Sequence, residues 1–592
     1  MLASDIFRFR NTKGNGQATH HWPVNAVSIR EYTDYDGAAD FYDTGVLDMN
    51  DAATIFTYHD QTKHHFQRYA RSPGYLDWAN QPYPFREYHG AEQIGLSLDI
   101  EPPPIVYHQL YMPAAVAPQP VDRRSLSLLL RHSLALSAWK QAGENRWALR
   151  VNPSSGNLHP TEGYLAVESL AEPRRPTLYH YTSEHHTLER RAVFSTKAWQ
   201  SLMAGLPPGS FLFGFTSIFW REAWKYGERA FRYCQHDIGH ALAAVRLSAT
   251  MLGWQLRLLT NWSSDAIGAF LGMDRHDDFP TEEHEEPELL AVIMPNTANS
   301  ATADKCLSPG DATLAAIRAS DWFGRANRLS DKYVKWPAID RAATTSRKSH
   351  GRSNAESSAA EYAVAGLSEP RDIEAHRMIL QRRSALNMDG ESSASREVFL
   401  SMLARVLPRK QPPWDVLDWS PKIHLALFVH RVEGIAPGLY LWVRDPTQRA
   451  ALQAAMRPSF LWETPPGVPS ELPLYLLARS DCRDAARQLS CHQDIAADGF
   501  FSLGMLAEFA EPIRRHGDWF YRALFWEAGL VGQVLYLEAE AWGARATGIG
   551  CYFDDPVHDV LGLRDHQFQS LYHFAVGVPV DDSRLQSLPP YE

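Results

Sequence analysis

At 592 residues, 45% of them apolar and 21% charged, the chain is long enough to bury two or three globular cores. Its net charge of −11, with no sustained basic stripe, gives nucleic acid no electrostatic footing, and no uninterrupted apolar run is long enough to span a bilayer. The opening residues have no apolar signal core. The five cysteines (Cys234, Cys306, Cys482, Cys491 and Cys551) are odd in number and show no close spacing, so they read as buried or incidental thiols of a cytoplasmic protein.

Residues 1–115 form a leader rich in aromatics and histidine, and Pro, Gly and Asn punctuation over 58–88 predicts loops and short helices there, not a sheet. His59, His64 and His65 read as a solvated cluster, or as a cover for a neighbouring site. A first mixed α and β unit follows at 116–296. It begins with a helix over 125–136, a strand over 163–167 and another over 178–181 that opens a hairpin. Its long helix carries Phe231, Cys234, Ile238, Leu242, Val245, Ala249 and Leu252 at helical spacing, a core stripe. An acidic stretch over 281–288 reads as a solvated loop. The bridge at 297–366 holds a Ser- and charge-rich run at 344–360 without a large apolar residue, the best linker in the chain. The second unit, 367–592, has strands over 423–429 and 439–443 and a long helix striped by Leu524, Ala528, Val531, Leu535, Ala539 and Trp542.

The two units repeat one pattern. Arg232, Asp237, Gly239, Leu247, Ala249, Gly253, Leu271 and Gly272 recur as Arg522, Glu527, Gly529, Leu537, Ala539, Gly543, Leu561 and Gly562, at a constant offset of 290. Both copies then reach a similar apolar strand, LAVIMP at 290–295 and FAVGVP at 574–579. Self-similarity on this scale signals a duplicated domain and not a short-repeat array.

The chemistry-bearing segments differ between the copies. In the first, Pro153 and Gly156 force a tight turn on which Ser154, Ser155 and Asn157 crowd hydroxyl and amide groups. Such a turn can read the heteroatom edge of a ring, or it can simply cap a helix. The second unit opens with Arg382, Arg383 and Ser384, two guanidinium groups beside a hydroxyl, which suit phosphate or form a solvated pair on a helix. Arg584, after the last strand, adds another cation. Lys225 and Tyr226, just ahead of the first long helix, can act as base and proton relay if the lysine pKa is lowered; otherwise they are a snorkelling lysine and a core tyrosine. His236 and His240 flank Asp237 one helical turn apart, but no third ligand accompanies them and no metal is expected. No Gly-rich loop of the dinucleotide-binding kind is present. Eighteen Trp and 24 Tyr suit large cores or a flat aromatic ligand.

With its PSSGN turn, RRS opening, glycine-containing long helices and terminal strand, the chain resembles a tandem member of the nitroreductase-like flavoprotein superfamily. The first repeat is similar to the azoline dehydrogenases that make thiazole and oxazole rings in modified peptides. The resemblance covers both repeats and implies an α+β fold, two nitroreductase-like domains joined as an intramolecular pseudo-dimer. It implies FMN as cofactor. Arg382, Arg383, Ser384 and Arg584 would hold its phosphate, Pro153, Ser154, Ser155 and Asn157 would face its ring, and the backbone of Gly548, Ile549 and Gly550 would approach N5. The family's basic residue two places after that serine is Leu386 here, which shifts phosphate binding toward Arg383 and Arg584. Arg123, Arg124 and Ser125 fall inside a helix and read as a coincidence, and the second repeat offers Pro412, Pro413, Trp414 and Asp415 where the first has its serine turn. Each half thus lacks what the other retains, which predicts one composite site.

The implied activity is dehydrogenation of a small-molecule or peptide substrate, such as a peptide-borne azoline, with Lys225 and Tyr226 as catalytic residues and oxygen or another acceptor closing the cycle. The alternatives are an NAD(P)H-dependent nitro or quinone reductase and a non-catalytic flavin-binding partner in a biosynthetic complex. Oligomerisation beyond the pseudo-dimer, and the leader's role, are left open by the sequence.

Overall fold

The computed structural model describes residues 55–168, 170, 174–296, 309–349, 368–370 and 372–591. At its centre two 22-residue helices, Ala230–Met251 and Phe520–Ala541, pack against each other. Their stripes were expected in the core, but the helices are buried on every face, polar residues included. A helix buried all round lies between layers and not on top of one. The crossing point is Gly239 on Gly529. A Cβ on Gly239 would collide with the Trp526 carbonyl and stand 2.9 Å from the Gly529 Cα; one on Gly529 would collide with the His236 carbonyl. These glycines are 290 positions apart, so the repeat seen in sequence becomes a pseudo-twofold axis through two bare backbones.

Each helix serves an antiparallel sheet. In the first repeat the central order is Thr187–Val193, Thr177–Thr182, Thr161–Val167, Phe211–Ser217, Glu286–Pro295 and Trp254–Leu258. In the second it is Leu474–Arg479, Gly438–Trp442, Ile423–Val429, Phe501–Glu508, Phe568–Gly577 and Arg545–Ile549. The two orders match strand for strand, and the six strands anticipated from the sequence lie in them, those over 439–443 and 574–579 ending earlier, at Trp442 and Gly577. The helix expected over 125–136 is shorter. It spans Arg123–Arg131, capped by Asp122 on the Ser125 amide, and Leu136 already opens the strand Leu136–Ala142. That strand pairs with Asn145–Arg150 and, on its other side, with Gln586–Leu588, so the far end of the second repeat completes a sheet of the first.

Buried ion pairs cross the axis in mated fashion. Arg232 reaches Asp554 of the second repeat at 2.8 Å, and Arg522 reaches Glu286 and Glu288 of the first at 3.0 and 2.8 Å. Each arginine also caps a short helix from outside its repeat. Arg232 donates to the His59 carbonyl and to Thr62 Oγ1, beside helix Ile55–Gln61; Arg522 donates to the Ala343 carbonyl and to Ser346 Oγ, beside helix Pro337–Thr345. The next residue pair repeats the theme, His64 exchanging hydrogen bonds with Asp554 and Lys348 with Ser264. The offsets 343 − 59, 346 − 62 and 348 − 64 are all 284, so a piece of the leader and a piece of the bridge are mates.

Several expectations change accordingly. His59 and His64 are buried against the second repeat and are not a solvated cluster. The leader does contribute strands, Tyr88–His89 on Arg325–Ala326 and Gln93–Gly95 on the edge of the first sheet. Of the linker run 344–360, residues 350–360 lie outside the described residues, while Ser346, Arg347 and Lys348 are anchored. The acidic stretch is solvated only in part: Glu282 is exposed, whereas Glu285, Glu286 and Glu288 are buried against Arg86, Arg347 and Arg522, and the buried Glu283 carboxylate accepts the Leu329 and Ser330 amides.

Gly239→Ala or Gly529→Ala places a methyl against backbone, which cannot rotate away. Each is expected to destabilise at or above the top of the ~1–3 kcal/mol usual for overpacked cores, read by urea unfolding. Gly310→Ala, where a Cβ meets nothing within 4 Å, should stay within about 0.5 kcal/mol of the parent.

Candidate functional site

The polar turn of the first repeat is rigid: Gly156 and Asn157 both take φ of +59°, and the segment hangs on the first long helix. Asp237 accepts the Ser155 amide and the Ser155 hydroxyl, each at 3.1 Å. Ser154 Oγ accepts the His159 amide at 2.8 Å, and Asn157 Nδ2 donates to the Ala148 carbonyl at 2.7 Å. These side chains therefore hold the turn itself. Asp237 is fully buried, and burial pushes its carboxyl up to about 7 against the opposing pull of Ser154 and Ser155.

Glu527, the mate of Asp237, does the same work in the second repeat. It accepts the Lys422 and Ile423 amides at 3.0 and 3.2 Å and pairs with buried Arg444 at 2.5 Å. Both carboxylates thus tie down the chain entering the first central strand of their own sheet. By that criterion the counterpart of the serine turn lies just before Ile423 and not at 412–415. Asp415 is instead held by Arg246 of the first long helix, at 2.7 and 2.9 Å.

Tyr226 faces the turn, for a Cβ on Gly156 would collide with its hydroxyl. The Tyr226 ring meets Tyr233 edge-on, centroids 4.7 Å apart. Tyr233 in turn covers Gly550: a ring carbon stands 2.6 Å from where a Cβ would be, and the hydroxyl donates to the Gly550 carbonyl at 3.2 Å. Two phenols therefore connect the serine turn of one repeat to the glycine strand of the other. Lys225 Nζ lies 5.1 Å from the Tyr226 ring centre; burial lowers its pKa, and Glu222 opposes the shift.

Glu222 was not flagged by the sequence. It sits one turn before Lys225 on helix Phe219–Tyr226, is 0% exposed, and neither carboxylate oxygen has a hydrogen-bond partner among the described residues. Burial, then the charge of Asp237, push its carboxyl far above the usual range, with Lys225 opposing. A Glu three residues before a Lys ordinarily reads as a solvated helix pair. The available signal was the pair of flanking tryptophans, Trp220 and Trp224, both buried here.

From the second repeat, Arg382 follows helix Ala375–Gln381 and is buried. Its Nη2 donates to the Arg150 and Val151 carbonyls of the first repeat at 3.3 and 3.1 Å, and its guanidinium lies over the Tyr536 ring at 4.9 Å. Its Nε and Nη1 have no partner among the described residues. Arg383 donates to the Leu380 and Ser137 carbonyls, and Ser384 Oγ lies 3.0 Å from Tyr536 Oη. Tyr536 Oη also accepts the Gly548 amide at 2.9 Å. Tyr572 covers Gly548, stacks on His236 at 4.1 Å and lies 3.2 Å from His240 Nε2. Ile549 is core. Arg584 lies apart from this packing, on the surface, its guanidinium on Asp582 at 2.6 Å.

The first repeat has no arginine opposite Arg382. Tyr107, Val106 and Ile105 meet Ile373, Glu374 and Ala375 antiparallel across the axis, and residues 107–122, up to the capped helix, contain no arginine. Arg123 and Arg124 begin the capped helix.

Asp237→Asn tests the buried acid. Because the folded-state carboxyl titrates near 7 and the unfolded one near 3.8, the native state binds the extra proton in between. The stability of the parent relative to the Asn variant should be greatest below about pH 4, fall by up to about 1.4 kcal/mol per pH unit toward pH 7, and level off above. Paired urea titrations at stepped pH check this.

No protein-family model and no curated protein matches the sequence. Among solved structures, a nitroreductase-like protein of Anabaena variabilis matches with a TM-score of 0.62 at 21% identity, covering 89% of this chain and 99% of its own. A second nitroreductase-like protein, from Ralstonia eutropha, matches 36% of this chain and 89% of its own (TM-score 0.25, 14% identity). A chain of the E. coli microcin synthetase McbBCD complex, with truncated pro-MccB17 bound, matches 46% of this chain and 84% of its own (TM-score 0.24, 17% identity). The Anabaena match spans both repeats at once. The chain therefore carries the nitroreductase-like fold twice, its two copies fused into an intramolecular pseudo-dimer.

Proposed function

We propose that the chain is an FMN-dependent oxidoreductase with one composite site, working as a dehydrogenase. One observation carries this reading: the serine turn and the Lys225–Tyr226 pair of the first repeat meet the RRS segment and the glycine strand of the second in one packed cluster. The donor set fits the cofactor. Arg382 holds two buried guanidinium nitrogens, Nε and Nη1, without partners among the described residues, an arrangement that an anion such as phosphate relieves, and Ser384 adds a hydroxyl beside it. Gly548 and Gly550 leave the strand bare of side chains on faces now covered by the flat rings of Tyr572 and Tyr233, which a planar ring system would displace or stack upon.

FMN in this site would supply the acceptor for two electrons. The chain's own residues would manage the proton. Lys225 is destabilised as an ammonium by burial, which outweighs the opposing pull of the nearby Glu222 carboxyl. Its amine is thereby readied to take a proton from substrate, with the Tyr226 hydroxyl as relay. Asp237 fixes the turn that presses against Tyr226. A peptide-borne azoline suits the site's resemblance, because its aromatisation releases one proton and one hydrogen with its electron pair.

The stoichiometry of bound flavin decides among the readings. About one FMN per chain is expected in the purified protein, with Arg382→Ala weakening it by roughly 10- to 100-fold, the worth of a charge-assisted contact. Two per chain would end the composite-site reading, and none after reconstitution would leave a non-catalytic partner. In the Lys225→Ala, Tyr226→Phe double variant the flavin should stay while substrate turnover drops by about 10²- to 10⁴-fold. Rapid bleaching by NADPH would instead favour the reductase.

A further inference from the structure

The residue after Gly550 is Cys551, and the fold gives it a partner that the spacing of cysteines did not reveal. Cys491, 60 positions earlier, brings its Sγ to 2.6 Å from the Cys551 Sγ. Cys491 follows helix Arg483–Leu489 on a turn where it and His492 both adopt left-handed backbone, φ of +53° and +59°. Non-glycine residues rarely take that region, so surrounding contacts must impose it. Those contacts are visible. The Phe553 amide donates to the Leu489 carbonyl at 2.8 Å, and Gln493 Nε2 bridges the Cys551 and Ser490 carbonyls at 3.1 and 2.8 Å. The two thiol-bearing segments are thus sewn together by backbone on either side of the sulfurs.

The surroundings divide the pair chemically. The hydrogen bond with Cys491 lowers the pKa of Cys551, burial opposing and the guanidinium of Arg229 assisting, while burial and that same contact raise Cys491. Arg229 is itself fixed by Asp554 at 2.9 Å and lies over the Tyr552 ring at 4.9 Å. Cys491 is buried and Cys551 is the more exposed residue of the two, and it is Cys551 whose pKa is lowered. Cys234 and Cys482 are 0% exposed, and Cys306 lies outside the described residues.

We propose that Cys491 and Cys551 form a reversible redox site that closes to a disulfide by exchange with low-molecular-weight disulfides of the glutathione class. The Cys551 thiolate attacks one sulfur of the small disulfide, forming a mixed disulfide and expelling a thiolate. Cys491 gives up its proton, attacks the Cys551 sulfur and expels the second thiolate. The protein loses two electrons and two protons, and one small disulfide becomes two thiols. Closing the bond would fasten the end of the Gly548–Gly550 strand to the Arg483–Leu489 helix. This site stands on its own geometry and needs no flavin.

The test is peptide mapping of the full chain equilibrated with mixtures of oxidised and reduced glutathione, then acid-quenched, unfolded, alkylated and digested. A linked peptide joining Cys491 to Cys551 should appear in a single two-electron transition and vanish with dithiothreitol, while Cys234 and Cys482 stay alkylatable at every ratio. In Cys491→Ser, Cys551 should accumulate as a mixed disulfide with glutathione, a species the parent resolves. Thiols at 491 and 551 that remain free at every ratio, that carry glutathione singly in the parent, or that pair with Cys306 would each overturn the proposal.

Discussion

Everything else in the molecule depends on Gly239 lying on Gly529. With no side chain between them the two long helices touch backbone to backbone, and each then presents its polar residues to the opposite repeat within reach of a hydrogen bond. That closeness allows Arg232 to find Asp554 and Arg522 to find Glu286 and Glu288, all without solvent. Buried charges of this kind are costly unless geometry and additional hydrogen bonds compensate, so they fix a unique arrangement more than they add stability. A pair of larger residues at the crossing would hold the helices apart and strand several guanidinium and carboxylate groups in the interior.

The same closeness makes the candidate site composite. Arg382 reaches the carbonyls of Arg150 and Val151, and Tyr233 reaches Gly550, only because the axis brings opposite repeats together. Divergence of the two copies then becomes intelligible. Around one axis there is room for two mated sites; residues 107–122 offer no arginine to the second, and Pro512 stands where Glu222 has its mate. Retained on both sides are the structural carboxylates, Asp237 and Glu527, each pinning the entry to a central strand.

The repeat, the long helices, the central strands and most of the site were legible because they rest on short-range signals: a constant offset, helical periodicity, and local clusters such as PSSGN and RRS. What escaped was set by distant partners. Glu222 drew no notice in the sequence, yet it is fully buried, and the charge of Asp237, 15 positions on, acts on it. The leader histidines and the carboxylates of Glu285, Glu286 and Glu288 looked solvated because the groups that bury them, Arg232 with Asp554 and the set of Arg86, Arg347 and Arg522, lie far away in sequence. The kinship of the leader's short helix with the bridge's was hidden for a different reason. It resides in backbone carbonyls and capping hydroxyls, which leave little mark on composition.

The strand Gln586–Leu588 adds a constraint of time. It pairs with Leu136–Ala142, and the Trp139 indole donates to the Pro590 carbonyl across 451 positions of chain. At about 5–20 residues per second, that partner leaves the ribosome roughly 20 to 90 seconds after Trp139 does. For that interval the first repeat carries an open hairpin edge, with Leu136 and Ala148 lacking the cover that Tyr591 later supplies. Unpaired edges of this sort invite pairing with other chains. The nascent first repeat is therefore the stage at which this protein most needs a chaperone or slow, dilute synthesis, and a second repeat supplied as a separate polypeptide would have to find that edge before another molecule did.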